Sequence, residues 1–160
     1  WRRCPRGVTG RLVRMSEALT HGAGQDLLKA WKRAWEARDV DAFVALFRED
    51  ADFRPDPFEE AFVGAVAIRG YWNDFAARTV HTELDAERIW VVDRSVLASW
   101  HGATTLRRTA ERTRQRGFLA FDLDPAGLIA RLRGWPGERI VGIDRTFRAE
   151  PAPDGVEERS

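Results

Sequence analysis

A change of period near the middle of the chain constrains its fold more than any other feature. From Gln25 to Arg38 the apolar residues Leu27, Leu28, Trp31, Ala34 and Trp35 recur three and four positions apart, the spacing of one helix face. Asp39-Val-Asp41 offers two possible caps for a second, short helix with Val40, Phe43, Val44 and Phe47 on its apolar side. A third helix over 67–78 places Ile68, Trp72 and Phe75 on one stripe. Past residue 81 the helical period stops. Thr82–Val92, Val96–Leu106, Arg112–Leu123 and Gly127–Trp135 are rich in β-branched and aromatic residues, with turn signals at Asp93-Arg-Ser95 and Asp124-Pro-Ala-Gly127. Strands joined so briefly pair antiparallel. Three helices followed by a sheet give an α+β fold: a cone-shaped barrel of three N-terminal helices packed on a curved antiparallel sheet.

At 160 residues the chain has the length of one domain. The periodic part bounds that domain at 25–135. Residues 1–24 read as a disordered leader or as sequence upstream of the natural start, because the only methionine is Met15. Residues 136–160 bring prolines, acids and no period, and read as a polar tail. Charge follows the same division: the leader holds five arginines against Glu17, while the body holds 17 basic and 18 acidic residues. A neutral body carries no nucleic-acid footprint. The arginines at 107, 108, 112, 114 and 116 form a basic hairpin, but Glu111 interrupts it and no aromatic residue alternates with it. No stretch is long and apolar enough for a membrane helix, so no membrane partner is expected. One cysteine, Cys4, excludes an internal disulfide framework and points to a cytoplasmic protein. Three scattered histidines give no metal site, and no cofactor motif is present.

The ordered set Trp31-Lys-Arg-Ala-Trp-Glu-Ala-Arg-Asp-Val-Asp-Ala-Phe-Val-Ala-Leu-Phe47, Asp50-Ala-Asp-Phe53, Asp56-Pro57, Phe62-Val-Gly64, Ala67-Ile-Arg-Gly-Tyr-Trp72 and Phe121-Asp-Leu-Asp-Pro-Ala-Gly-Leu-Ile129 resembles the nuclear transport factor 2-like superfamily. That group includes ketosteroid isomerases, SnoaL-like polyketide cyclases and scytalone dehydratase. The resemblance covers roughly residues 25–135. It implies a cone with a small-molecule pocket at its concave end. A scaffold with so many activities says little about which one this chain has.

The same resemblance singles out Asp56, because ketosteroid isomerases carry an Asp-Pro whose aspartate moves a proton beside a carbonyl. Here one extra residue precedes the match, and a turn aspartate binding local backbone is the competing account. The tyrosine of that enzyme's oxyanion hole falls on Trp31, and its protonated aspartic acid falls on Leu119. An indole N–H still donates one hydrogen bond, but leucine donates none. The hole of that enzyme is therefore incomplete, at a typical cost of ~10²–10³ in rate for one lost donor. The limonene-epoxide hydrolases' aspartate–arginine–aspartate network has no counterpart on a pocket strand.

His101 follows Trp100 on a strand, so the two face opposite ways. If Trp100 faces the cone, His101 faces outward; in the reverse case it is an acid/base group for the pocket. His81 stands between the third helix and the sheet, at the expected rim. Trp31, Trp35, Tyr71, Trp72, Trp100 and Leu119 are the expected ligand-binding wall, and Asp56, His101 and His81 the expected catalytic candidates. Two functions fit: a cofactor-independent acid/base isomerase, cyclase or dehydratase acting on a small apolar molecule, or a non-catalytic ligand-binding or dimerisation module. Runs such as Ile89–Val92 and Phe118–Phe121 have few polar alternates, which points to a homodimer through the outer sheet face.

Overall fold

The Thr20 hydroxyl accepts the Ala23 N–H at 3.1 Å and so starts the first helix, α1 (His21–Ala37). Arg38 ends it in the left-handed region (φ 53°), and Asp39 accepts the Ala42 N–H at 2.9 Å to open α2 (Val40–Val44). The chain then runs through β1 (Phe47–Arg54), β2 (Phe62–Val63), α3 (Ala65–Arg78), β3 (Thr79–Val92), β4 (Ser95–Leu106), β5 (Glu111–Leu123) and β6 (Ile129–Ile143). The computed structural model describes residues 18–150.

The six strands form one open, curved sheet in the order β2-β1-β6-β5-β4-β3. Four pairs are antiparallel, the three among β3–β6 as expected from the short turns, but β1 lies parallel to β6, pairing Phe47 with Ile129 and Arg54 with Arg133. The sheet is thus mixed, and it gains β1 and β2 from the segment between the helices. The helices cover its concave face. Lys32 bonds the Leu84 carbonyl at 2.6 Å and the Asp85 carboxylate at 2.8 Å, while Glu36 accepts the Leu84 N–H at 3.1 Å; these fix α1 against β3. The core joins α1 (Leu28, Trp31, Ala34) to Phe43, Phe53, Ile68, Trp72 and the inward residues of β4–β6.

Two expected boundaries move. The leader was expected to reach residue 24, yet α1 begins at His21; the rest of that expectation, with Met15 and Cys4, lies outside the described residues. The tail was expected from residue 136, yet β6 continues to Ile143, and residues 144–150 fold back so that Glu150 donates its N–H to the Arg107 carbonyl at 3.0 Å. Pro136 made this stretch look like a break. It is tolerated because β1 stops pairing at Arg133, leaving β6 with β5 alone on one side, an edge where a missing N–H costs no ladder bond. The expected tail over 151–160 falls outside the described residues.

Candidate functional site

Trp100 is buried and His101 exposed, so alternation along β4 sends Trp100, Gly102 and Thr104 toward the helices. On β5 the same parity turns Thr113, Gln115 and Leu119 inward. Together with α1, α3 and the loop after β1, these residues enclose a cavity of about 730 Å³. Aromatic rings dominate its wall. Trp35 stands 6.2 Å from Trp31, 6.4 Å from Trp100 and 4.7 Å from Phe75, and Tyr71 meets Phe53 at 4.9 Å and Phe62 at 5.0 Å, between ring centres. Gly134 sets one side of the opening. A Cβ there would stand 2.5 Å from the Pro55 carbonyl oxygen, so only glycine lets the Pro55-Asp56 segment lie against β6.

Several buried polar atoms of the residues that line the cavity are uncommitted. Among the described residues the Trp31 and Trp100 indole N–H groups and the Thr104 hydroxyl have no hydrogen-bond partner, although all three residues are more than nine-tenths buried. Buried polar groups are normally paired, and an unpaired one carries a desolvation cost. Among the described residues the Tyr71 phenol has no hydrogen-bond partner either. Burial, reinforced by the nearby Glu59 carboxylate and opposed by Arg78, pushes it up to about 12, so it stays a neutral donor. The rim carries Asp56, Glu59, Asp74, Arg78 and Glu138. Among the described residues no group of three His, Cys, Asp or Glu side chains gathers as a metal-ligand set.

Residues 28–132 match the SnoaL-like domain family over about two-thirds of the chain. The chain belongs to that family. This SnoaL-like protein therefore has the nuclear transport factor 2-like fold that its sequence resembles. Its structural neighbours agree on the fold. It is similar to SalBIII, an epoxide hydrolase/cyclase-like enzyme in pyran ring formation in polyether salinomycin (TM-score 0.66, 21% identity, 76% of this chain and 96% of that one). It is also similar to a computationally designed 17-OHP binder (0.64, 17%, 73% and 97%). An LEH-like epoxide hydrolase from M. tuberculosis is a third (0.62, 17%, 72% and 84%). No curated protein matches the chain in sequence.

Of the nine expected site residues, Asp56, Trp31, Trp35, Tyr71, Trp100 and Leu119 line the cavity. Trp72 does not. It is 0% exposed, stacked flat on Phe43 at 3.8 Å and on Phe75 at 4.8 Å, and so belongs to the core; nothing in the structure explains its unpartnered indole N–H. His101 is on the outer sheet face with Glu87 at 3.4 Å, on the far side of the sheet from the cavity. His81 is not at the cavity rim. It turns outward at φ 47°, with Nδ1 2.8 Å from Asp144, which also accepts from the Thr105 hydroxyl at 2.7 Å. Its role there is to hold the segment after β6 against the start of β3. No histidine reaches the cavity.

Asp56 lines the opening, but Oδ1 accepts the Phe58 N–H at 2.8 Å and its carbonyl accepts the Glu59 N–H at 3.2 Å. That is an aspartate turn of the kind the competing account expects. Sequence reasoning missed Phe75, Thr104, Thr113 and Gln115. Strand parity from Trp100 and Leu119 was the available signal for the last three. The arginine hairpin is largely neutralised: Arg107 pairs with Glu150, Arg112 with Glu83 and Arg116 with Glu87. Among the described residues no helix is long and apolar enough to cross a membrane.

Proposed function

We propose that this SnoaL-like protein binds one small, largely apolar molecule in the cavity, and that the molecule presents an oxygen acceptor to the wall. The carrying observation is the set of unpartnered donors on an otherwise aromatic wall. A hydrocarbon leaves them unpaired, whereas a carbonyl or ether oxygen relieves part of their desolvation cost. Calorimetric titration with acetylnaphthalene and its oxygen-free counterpart ethylnaphthalene tests this. The ketone is expected to saturate one site and bind more tightly; no saturable binding of either compound would sink the reading.

One observation favours a second reading, in which the chain is a cofactor-independent isomerase, cyclase or dehydratase. Asp56 lines the cavity, and only one of its two carboxylate oxygens is engaged in the turn. A carboxylate there is within the chemistry of general acid/base catalysis. Asp56→Asn keeps an acceptor for the Phe58 N–H, so it is expected to fold normally and lose all turnover; retained turnover removes Asp56 from the mechanism. The fold does not choose between the two readings, since its neighbours include both enzymes and a designed binder.

Homodimerisation through the outer sheet face is part of the same proposal. Trp90 lies opposite Leu97 and Phe118 opposite Trp135, and all four are exposed on that face. Arg116, His101 and Glu87 flank the stripe with both signs of charge, which a two-fold copy can set against one another. A reducing, cytoplasmic setting accords with the single cysteine.

A further inference from the structure

The polar atoms of the cavity lining fall into two groups, and depth separates them. Trp31, Trp100 and Thr104 are almost fully buried, and their unpartnered Nε1 and Oγ1 atoms are closed off inside the packing. Other donors of the wall are spent within the protein. Thr113 donates to the Thr104 carbonyl at 3.3 Å, Thr79 to the Phe75 carbonyl at 2.6 Å and Gln115 to Glu138 at 2.8 Å. With Leu84 and Leu119 completing the wall, the inner end of the cavity offers a ligand little but carbon.

Tyr71 differs from these residues. Its hydroxyl has no hydrogen-bond partner among the described residues, yet it is not one of the closed-off atoms. The half-buried ring is set edge-on to Phe53 at 4.9 Å and tilted on Phe62 at 5.0 Å, and the hydroxyl feels the charges of Glu59 and Arg78. All four neighbours line the cavity, and Glu59 and Arg78 stand on its rim, so the phenol opens into the cavity at its outer end. Burial keeps it protonated far above neutral pH, so it donates. The Trp35 indole N–H is also unpartnered and not closed off, but its ring is held among Trp31, Trp72, Phe75 and Trp100, which fixes the direction of the bond it can make. A hydroxyl hydrogen rotates to meet its acceptor.

We propose that Tyr71 is the specificity-determining residue of the cavity: the ligand enters apolar end first, and one oxygen at its outer end accepts the Tyr71 hydroxyl beside the rim. This rests on the small-molecule reading above and narrows it to one-ended molecules, an apolar body with its oxygen at a single end. A second oxygen at the inner end loses its water and meets only closed-off or occupied donors, which disfavours binding.

Calorimetry on the full chain with four probes of one ring system tests the proposal: ethylnaphthalene, acetylnaphthalene, and two naphthalenes substituted at both ends, one acetyl-ethyl and one diacetyl. Acetylnaphthalene is expected to bind about fivefold more tightly than ethylnaphthalene. Tyr71→Phe keeps the ring and removes the hydroxyl, so it is expected to erase that preference while ethylnaphthalene affinity stays constant. The diacetyl compound is expected to bind about tenfold more weakly than the acetyl-ethyl compound of the same length. Because Tyr71 is the only tyrosine, a carbon-13 label at tyrosine Cζ gives one resonance; it should move with acetylnaphthalene differently from ethylnaphthalene, a response that a purely structural phenol would not give. A ketone preference that survives Tyr71→Phe, diacetyl binding as tight as acetyl-ethyl binding, or a resonance that answers both compounds alike overturns the assignment and leaves the cavity reading standing. If none of the four probes binds, both fall.

Discussion

Thr104 and Thr105 are neighbours on β4, both almost fully buried, and the same substitution should move stability in opposite directions at the two sites. Thr104 faces the cavity, and its hydroxyl has no partner among the described residues. Replacing it by valine keeps the shape and removes a buried polar group whose unpaired burial costs ~1–3 kcal/mol. Relaxation of the surroundings reduces the return, so a gain of about 1 kcal/mol is expected. Thr105 faces the other way. Its hydroxyl donates to Asp144 at 2.7 Å and accepts from Arg112 at 3.2 Å, so valine there removes two bonds to charged groups. A loss of ~1.5–3 kcal/mol follows for that variant. For a domain of this size 1 kcal/mol moves the melting temperature by about 3–5 °C. Circular-dichroism melts at pH 7 should therefore place Thr104→Val a few degrees above the parent and Thr105→Val several degrees below it. A Thr104→Val protein that melts lower would mean that its hydroxyl is bonded, and the case for an acceptor-bearing ligand would lose one of its supports.

Tyr71 is the only tyrosine in the chain, so its ionisation can be followed by absorbance without ambiguity; a midpoint near 12 is expected in the folded protein, falling toward 10 in urea. Because the folded phenol holds its proton more tightly than the unfolded one, stability should fall as pH rises above 10, and a folded midpoint at 10 would contradict the buried setting. The Asp144 carboxylate is held well below the usual range by hydrogen bonds from Thr146, Thr105 and His81. Its contribution is therefore present above pH 3.8 and lost as pH falls further, so Asp144→Asn should melt lower at pH 7, with the difference closing in acid; a pH-independent difference would refute the assignment. Sedimentation should give a dimer at micromolar concentration and a monomer for Phe118→Arg; a monomeric parent ends the dimer proposal.

The helical half of the fold was legible because each helix has a one-sided stripe: Leu28, Trp31 and Ala34 are buried as the spacing requires, Ile68, Trp72 and Phe75 likewise, and Asp39 caps α2. The four long strands were legible from their turns. What could not be read was pairing between distant segments. Nothing local in Phe47–Arg54 announces that it will lie parallel to a strand near the other end of the domain. Pro136 shows the same limit, since whether a proline breaks a strand depends on whether a neighbour needs its N–H. At the site, alternation placed His101 once Trp100 was known to be buried, but only the structure fixed which one pointed inward. Trp72 shows why a residue type does not reveal a wall: a ring on the buried stripe of α3 packs equally well against Phe43 or against a ligand. Thr104 and Gln115 were invisible for the opposite reason, as ordinary polar residues whose importance comes from where the strand turns them.

The parallel pairing of β1 with β6 also governs the order in which the molecule can assemble. Phe53, on the cavity wall, reaches its place only when β1 docks on Leu132 and its neighbours, a contact that closes a loop spanning most of the domain. Loop closure on that scale is an entropic toll that slows folding, because it falls before the contacts that reward it. As the chain leaves the ribosome, α1, α2 and β1 emerge long before β6, so Trp31, Trp35 and Phe43 have no complete sheet to cover them. The cavity is thus among the last features to form. A truncation ahead of Ile129 should leave a chain with helices and a meander but no enclosed site, and a ligand that seats against both Phe53 and Trp100 would act on the refolding chain as a clamp across its slowest joint.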